Sequence, residues 1–452
     1  MMDLKNKRVL VVGLGKSGLS AAMFLRGQGS RVTVSDARSA MALAKEIPAL
    51  LEAGIMVESG GHGLLTFRRQ DLIVVSPGVP MDTPEVKQVV AFGLPVIGEL
   101  ELASRYLKGQ VVAITGSNGK TTTTTLVGKI FKDSGLPTQV GGNIGLPVID
   151  LVAQSTAETV NVLEVSSFQL ETVEEFHPRI AVILNITPDH LDRHGSFEKY
   201  VVAKERIFER QGAKDALVLN GDDRVVQLSA ARAKSEVFWF SATKAVRRGA
   251  FVRDGVIVWV EKEGGVTEPV MPVSEVPLKG AHNIENVLAA VCVARLEKVS
   301  AESIRASVAS FTAVEHRLEL VRKLNGVEFY NDSKATNVDA TMKAVASFPK
   351  GIHLVLGGKD KDSDYSLMAP LLKERVKAVY TIGSAAEKIE RQLHGVVKMV
   401  AAETMQVAVA EAAKAAVAGD VVLLSPACSS FDRFENYEHR GRVFRQLVNE
   451  LN

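Results

Sequence analysis

Residues 115–125 read Thr-Gly-Ser-Asn-Gly-Lys-Thr-Thr-Thr-Thr-Thr (TGSNGKTTTTT). The usual phosphate-loop pattern, G-x-x-x-x-G-K-[ST], requires a glycine where Ile114 stands. Two readings compete: a variant nucleotide site, or a surface turn with an incidental lysine. The apolar run VVAIT enters the glycine turn, and the threonines with LVGKIF continue in a helical pattern. Strand, glycine turn and helix in that order favour the nucleotide site, because backbone N–H groups at a helix N-terminus attract an anion. Glycines allow close backbone approach, Lys120 supplies charge, and Thr121 offers a hydroxyl to Mg²⁺. The missing glycine argues against an ordinary NTPase of the Ras or transport type.

Working outward, short β-branched runs alternate with longer amphipathic stretches along all 452 residues, which predicts parallel sheets flanked by helices. Strands are expected at Arg8–Val12, Arg31–Ser35, Asp71–Ser76 and Pro95–Ile97, closing a first unit near residue 98. A second unit opens at Gln110–Thr115 and continues through Asn161–Val165 and Ile180–Asn185. Between about 235 and 280 shorter alternating runs (EVFWFS, GAFVRDGVIVWVE) predict a small antiparallel annex, followed by a helix at His282–Arg295. After Phe311 a third pattern has strands near Val327–Tyr330, Ile352–Leu356, Ala378–Ile382 and Val421–Leu424. The expected fold is therefore α/β in three domains. These are a Rossmann-like N-terminal domain (1–98), a central P-loop ATPase-like domain with the annex (99–313), and a Rossmann-like C-terminal domain (314–452).

The charge balance of 54 basic against 52 acidic residues gives no electrostatic case for nucleic acid or an anionic membrane as partner. Two distant cysteines, Cys292 and Cys428, make no disulfide framework. MMDLKNKRVLVVG reads as a first β-strand, not a signal peptide, and no run approaches membrane-spanning length, so a cytoplasmic protein is expected.

Other segments carry chemistry beside the loop. Glu164 interrupts the apolar strand NVLEV, which costs desolvation unless it holds a cation or caps the next helix. IAVILNIT ends in PDHLDRH (188–194), whose histidines and aspartates lack zinc spacing. Lys204, on the helix YVVAKERIFE, reads alone as a solvated lysine.

TGSNGKTT resembles the ATP loop of the Mur ligases, amide-forming enzymes of peptidoglycan precursor synthesis, and the resemblance runs through all three domains. It implies ATP contacts from Gly116, Ser117, Asn118, Gly119, Lys120, Thr121 and Thr122. It implies Mg²⁺, with two ions expected, on Thr121, Glu164, His190 and Lys204, the last as a CO₂-derived carbamate. Lys120, Glu164, His190 and Lys204 would be catalytic, and His194 would face solvent or pack nearby. GAHNIEN (280–286) resembles G-x-H-N-x-x-N and puts Asn286 on the nucleotide, with helix capping by His282 or Asn283 as the competing reading. EHR (315–317) implies Arg317 on the phosphates, and NDSKATN (331–337) implies Asp332 on the nucleotide with Lys334 and Thr336 near the incoming amino acid.

The D-N-P-R of the diaminopimelate- and lysine-adding members is absent, while LGGKDK (356–361) and LSPACSSFDRF (424–434) resemble the D-glutamate-adding branch. That implies D-glutamate held by Lys334, Thr336, Lys361, Ser430, Phe431 and Tyr437, although Phe431 replaces a common leucine and Tyr437 a common phenylalanine. Cys428 reads as a packed small residue. Gly13-Leu-Gly-Lys-Ser-Gly18 fits G-x-G-x-x-G with Asp36 after the next strand, which alone would suit an NAD-dependent oxidoreductase. In the resembled family the same device takes the UDP part of UDP-N-acetylmuramoyl-L-alanine through Lys16, Ser17, Asp36, Arg38, Ser76 and Gly78, with Asn143 toward the sugar. Small-molecule partners and a monomer are expected. A folylpolyglutamate synthetase, a sister Mur ligase and a non-catalytic UDP-sugar binder compete with this reading.

Overall fold

The computed structural model of the protein describes residues 2–312 and 314–451. Its runs of Val, Ile and Leu form three separate sheets, each buried on both faces by helices, as parallel sheets require. The first sheet has five parallel strands in the order Met56–Ser59, Arg31–Asp36, Arg8–Val12, Leu72–Val75, Val96–Gly98. The strand order reverses beside Arg8–Val12, so the glycine turn after that strand and the Ser76–Gly78 turn after Leu72–Val75 share one crevice.

The second sheet has nine strands: Thr267–Pro272, Val256–Val260, Gly249–Arg253, Glu236–Ser241, Ala216–Asn220, Ile180–Ile183, Gln110–Thr115, Val160–Glu164, Thr138–Gly142. The structure corrects the expected annex in two respects. Its strands continue the central sheet rather than forming a unit of their own, and Glu236–Ser241 and Gly249–Arg253 pair in parallel. Gly249–Arg253, Val256–Val260 and Thr267–Pro272 pair antiparallel in turn, a three-stranded meander at the edge in which Val256–Val260 alone runs against the rest. Gln110–Thr115 lies between Val160–Glu164 and Ile180–Ile183. Their C-terminal ends therefore deliver the phosphate loop, Glu164 and the segment 185–190 to one place.

The third sheet runs Glu319–Leu324, Val327–Asn331, Val421–Leu424, Ile352–Gly357, Val376–Ile382, Lys398–Glu403, parallel except for the first pair. The three adjacent inner strands lead into the segments 332–337, 425–430 and 358–361.

The cores differ in extent. One apolar cluster is continuous from the first sheet through Ile97, Leu100, Leu102 and Ala103 into one face of the central sheet. The buried clusters of the third sheet contain residues of that domain alone.

Candidate active site

The phosphate loop is clamped from behind. Ser117 N–H donates to the Asn185 carbonyl at 2.9 Å, Asn118 N–H to Asn185 Oδ1 at 2.8 Å, and Ser117 Oγ to the Thr187 carbonyl at 2.9 Å. Ser117 thus commits its N–H and hydroxyl to the segment 185–187 behind the loop. The helix Lys120–Asp133 begins after Gly119, at φ +84°, with no side-chain cap, so its first-turn N–H groups face outward for an anion. A Cβ on Gly119 would stand 2.2 Å from Asn286 Oδ1, which explains glycine there.

Two lysines, Lys204 buried and Lys120 half-buried, converge on one atom. Lys120 Nζ lies 2.8 Å and Lys204 Nζ 2.9 Å from the Gly116 carbonyl oxygen. Lys204 is 1% exposed, which overturns the reading of a solvated helix lysine. Burial, with Lys120 beside it, pushes the Lys204 amine well below the usual range, and burial lowers Lys120 as well. Glu164 is buried, accepting from Thr121 Oγ1 and Asn143 Nδ2, each at 2.8 Å. Burial would raise its carboxyl, but Lys334 and Lys120 hold it below the ordinary value. Glu164 does not cap the next helix, which has a capping box of Ser166 and Gln169.

His190 takes a left-handed backbone, φ +53°, at the start of the single turn Leu191–His194. Burial pushes its imidazole down to about 3 despite neighbouring Asp189. His194 packs inside, with Nε2 3.0 Å from Ser167 Oγ and Nδ1 3.1 Å from Glu171. The two histidines thus have separate surroundings. Among the described residues no group of three or more His, Cys, Asp or Glu side chains could hold a metal ion. A hydroxyl, one carboxylate and a phosphate-facing helix end suit Mg²⁺, which keeps waters and substrate oxygens as ligands.

Across the C-terminal seam, Asn118 Nδ2 donates to Asp339 at 2.6 Å, Asn337 Nδ2 to Asp189 at 2.9 Å, and Lys361 Nζ lies 3.3 Å from Asp189. Asn118, Gly119, Thr122, Asn286, Arg317 and Asp332 line one narrow cleft with His282 and Lys343. Burial pushes the Asp332 carboxyl up to about 7. His282 and Asn283 lie inside the helix Ala281–Leu296, whose N-cap is Gly280, so neither of them caps it.

A second pocket of about 310 Å³ brings Lys120, His190 and Lys204 to Thr336, Lys361, Ser430, Phe431 and Tyr437. Phe431 is 70% exposed and stands at its mouth. Lys334 Nζ sits 4.9 Å over the Tyr437 ring, and burial lowers its ammonium to about 8. Cys428 is buried, with its thiol pushed up to about 12 by burial, as a packed residue requires.

A third cleft of about 870 Å³ runs from Lys16, Ser17, Asp36, Arg38, Ser76 and Gly78 past Asn143 to Thr121, Lys334 and Tyr437. Asp36 accepts from Leu14 N–H at 2.7 Å, and from Arg38 N–H at 2.8 Å and its guanidinium at 3.0 Å. Both carboxylate oxygens are occupied, which argues against a nicotinamide dinucleotide whose ribose would need them. Lys16 Nζ reaches across to the Gly145 carbonyl.

Asn185, Asp189, Asn337 and Asp339 join the site although the sequence alone assigns them no role. The asparagines of NDSKATN and LNIT are the available signal, but while Asn185 meets its own domain's loop, the partners of Asp189, Asn337 and Asp339 lie in another domain.

This arrangement defines a nucleotide-handling enzyme with one composite site built by three α/β domains. The chain belongs to the Mur ligase family. Residues 7–98 match the Mur ligase MurD-like N-terminal domain, 114–294 the Mur ligase middle domain and 316–428 the Mur ligase glutamate ligase domain. It is 67% identical over 447 residues to the UDP-N-acetylmuramoylalanine--D-glutamate ligase of Acidobacterium capsulatum, covering 99% of this chain and 97% of the relative. The ligase of the same name from Koribacter versatilis is 58% identical, with 100% and 99% covered. In fold it is similar to UDP-N-acetylmuramate-alanine ligase from Thermotoga maritima, with a TM-score of 0.61 at 19% identity over 98% of this chain and 99% of that one.

Proposed function

We propose that the protein is an ATP-dependent ligase joining D-glutamate to the L-alanine carboxyl of UDP-N-acetylmuramoyl-L-alanine in peptidoglycan precursor synthesis. The observation that carries this reading is the cleft linking the first-domain glycine loop to Thr121 and Lys334, beside a lysine- and hydroxyl-lined pocket. A nucleotide-sugar carboxylate would lie along the cleft, and a dicarboxylate amino acid would fill the pocket. In this reading residues 1–98 hold the UDP part, 99–313 the ATP and 314–452 the amino acid.

A free carboxylate is a poor electrophile. ATP transfers its γ-phosphoryl group to the alanine carboxylate oxygen, giving an acyl phosphate and ADP. The D-glutamate amine then attacks the carbonyl carbon, and the tetrahedral adduct expels phosphate as the C–N bond is retained. Phosphoryl transfer depends on positioning and charge neutralisation. Lys120 and the uncapped helix end would hold the phosphates, with Arg317 reaching them from the C-terminal side. Thr121 and Glu164 would hold one Mg²⁺ and His190 with modified Lys204 a second. The metal supplies charge neutralisation on phosphate oxygens.

Lys204 is suited to become a carbamate. Its burial beside Lys120 favours the neutral amine, the form whose nitrogen attacks CO₂ with loss of a proton. The resulting anion would then be held by attraction to the Lys120 ammonium. Lys204→Ala is expected to lose ligation, and a short carboxylic acid to restore part of it. Full activity in the plain variant would remove the carbamate role. We read the enzyme as a monomer, working in the cytoplasm. Among the described residues no helix is long and apolar enough to cross a membrane.

The test is phosphate release from ATP with UDP-N-acetylmuramoyl-L-alanine, Mg²⁺ and bicarbonate, comparing D-glutamate, L-glutamate, L-alanine and meso-diaminopimelate. Release with D-glutamate alone is expected. Release with another amino acid moves the enzyme to a sister step, and none with any rejects the ligase reading.

A further inference from the structure

Arg193 holds no assigned ligand, yet it bridges the loop of the first sheet and the turn that carries His190. One guanidinium nitrogen donates to the Val79 carbonyl at 3.0 Å and to Glu171 at 3.2 Å, and the group reaches the Pro77 and Gly78 carbonyls at 3.5 Å. The side chain is 16% exposed and its guanidinium lies 4.7 Å over the Phe168 ring.

Both ends of this bridge are held. On one side Ser76 Oγ donates to the Gly13 carbonyl at 2.8 Å, fastening the 76–79 loop to the glycine loop of the UDP crevice. On the other, Phe168 meets His190 edge-on at 4.8 Å and stacks on His194 at 5.4 Å. The turn opens at His190, φ +53°, a conformation that a residue other than glycine keeps where its surroundings impose it, and closes at Gly195, φ +76°. A planar fork that spans several carbonyls while stacking on an aromatic face is a task for arginine, not lysine.

We propose that Arg193 is a positioning residue that couples seating of the nucleotide end of the substrate to the placement of His190 at the reacting end. The inference rests on the ligase reading above. Seating UDP in the crevice fixes the 76–79 loop; Arg193 transmits that placement through Phe168 to the imidazole. Loss of the fork therefore weakens use of the nucleotide sugar and slows the chemistry together, while the ATP cleft and the third domain's share of the amino-acid pocket, Thr336, Lys361 and Ser430, stay in place.

The experiment is steady-state kinetics of wild type, Arg193→Lys and Arg193→Ala, varying each of the three substrates in turn, with thermal melts alongside. Arg193→Ala is expected to raise KM for UDP-N-acetylmuramoyl-L-alanine about tenfold and lower kcat about tenfold, with KM for ATP and D-glutamate within about twofold. Arg193→Lys, which keeps one charged donor, should fall between. Unchanged kinetics, or all three KM values rising together with a lowered melting temperature, would overturn the coupling role. If Arg193→Ala does not fold, Arg193→Lys carries the same comparison. Absence of turnover in the wild type would instead reject the ligase reading.

Discussion

The two seams of the molecule are built from different materials. Between the first and central domains the apolar core is uninterrupted, running through Ile97, Leu100 and Leu102. Between the central and third domains the joins described above are polar, chiefly Asn118 to Asp339 and Asp189 to Asn337 and Lys361. Buried apolar area is non-directional and costly to separate, whereas such polar contacts exchange readily for water or ligand groups. The first seam is thus a fixed frame, for the nucleotide sugar on the proposed reading, and the second is one that bound groups can part and re-form.

The largest effect should come from cutting the apolar seam. Leu100 is fully buried, so Leu100→Ala is expected to cost about 3 kcal/mol of stability in denaturant unfolding. A loss below about 1 kcal/mol would show that the frame does not depend on this core.

Next is a pH dependence at the same seam. Glu99 Oε1 accepts from Ile149 N–H at 2.7 Å, Oε2 is buried without a partner, and burial raises the carboxyl to about 7. The folded state binds this proton more tightly than the unfolded one, where the value is near 4.5. The associated stability is therefore complete below pH 4.5 and is lost as pH rises through about 7. Relative to Glu99→Gln, the wild type should lose up to about 3 kcal/mol between pH 5 and 8. Parallel stability curves for the two proteins would refute this. Glu101, two residues on, accepts from the N–H groups of Glu174, Glu175 and Phe176 and from Arg105.

The smallest stability change belongs to the polar seam. Asp339→Ala should leave the unfolding midpoint within about 1 kcal/mol yet raise the radius of gyration in small-angle scattering as the third domain swings away. An unchanged radius would mean that other contacts keep this seam shut.

What the sequence revealed divides along the same line. Strands such as Arg8–Val12 and Gln110–Thr115 are dense in valine and lie centrally, so composition exposes them. Met56–Ser59, Thr138–Gly142, Glu319–Leu324 and Lys398–Glu403 escaped because they sit at sheet edges, where charge and glycine dilute the pattern. Ala216–Asn220 escaped for another reason: ALVLN is equally good helix sequence, and only its neighbours on both sides make it a strand. In the annex, alternation revealed the strands and the antiparallel pairing of 249–272, but not that Glu236–Ser241 joins them in parallel. The glycine–lysine loop was legible because its backbone demands are local. Asp189, Asn337 and Asp339 were not, since their meaning is a partner in another domain, and no local pattern records it.

The third sheet places the three segments proposed to meet the amino acid after adjacent parallel strands, while the strands themselves are buried. Those loops can change residues while the ladders of the six strands stay as they are, the Lys359–Ser429 bridge joining two of the loops to each other. Such a domain is an interchangeable head: evolution, or an engineer, can address a new acceptor by rewriting 358–361 and 425–430, leaving the frame that grips the sugar nucleotide as it is.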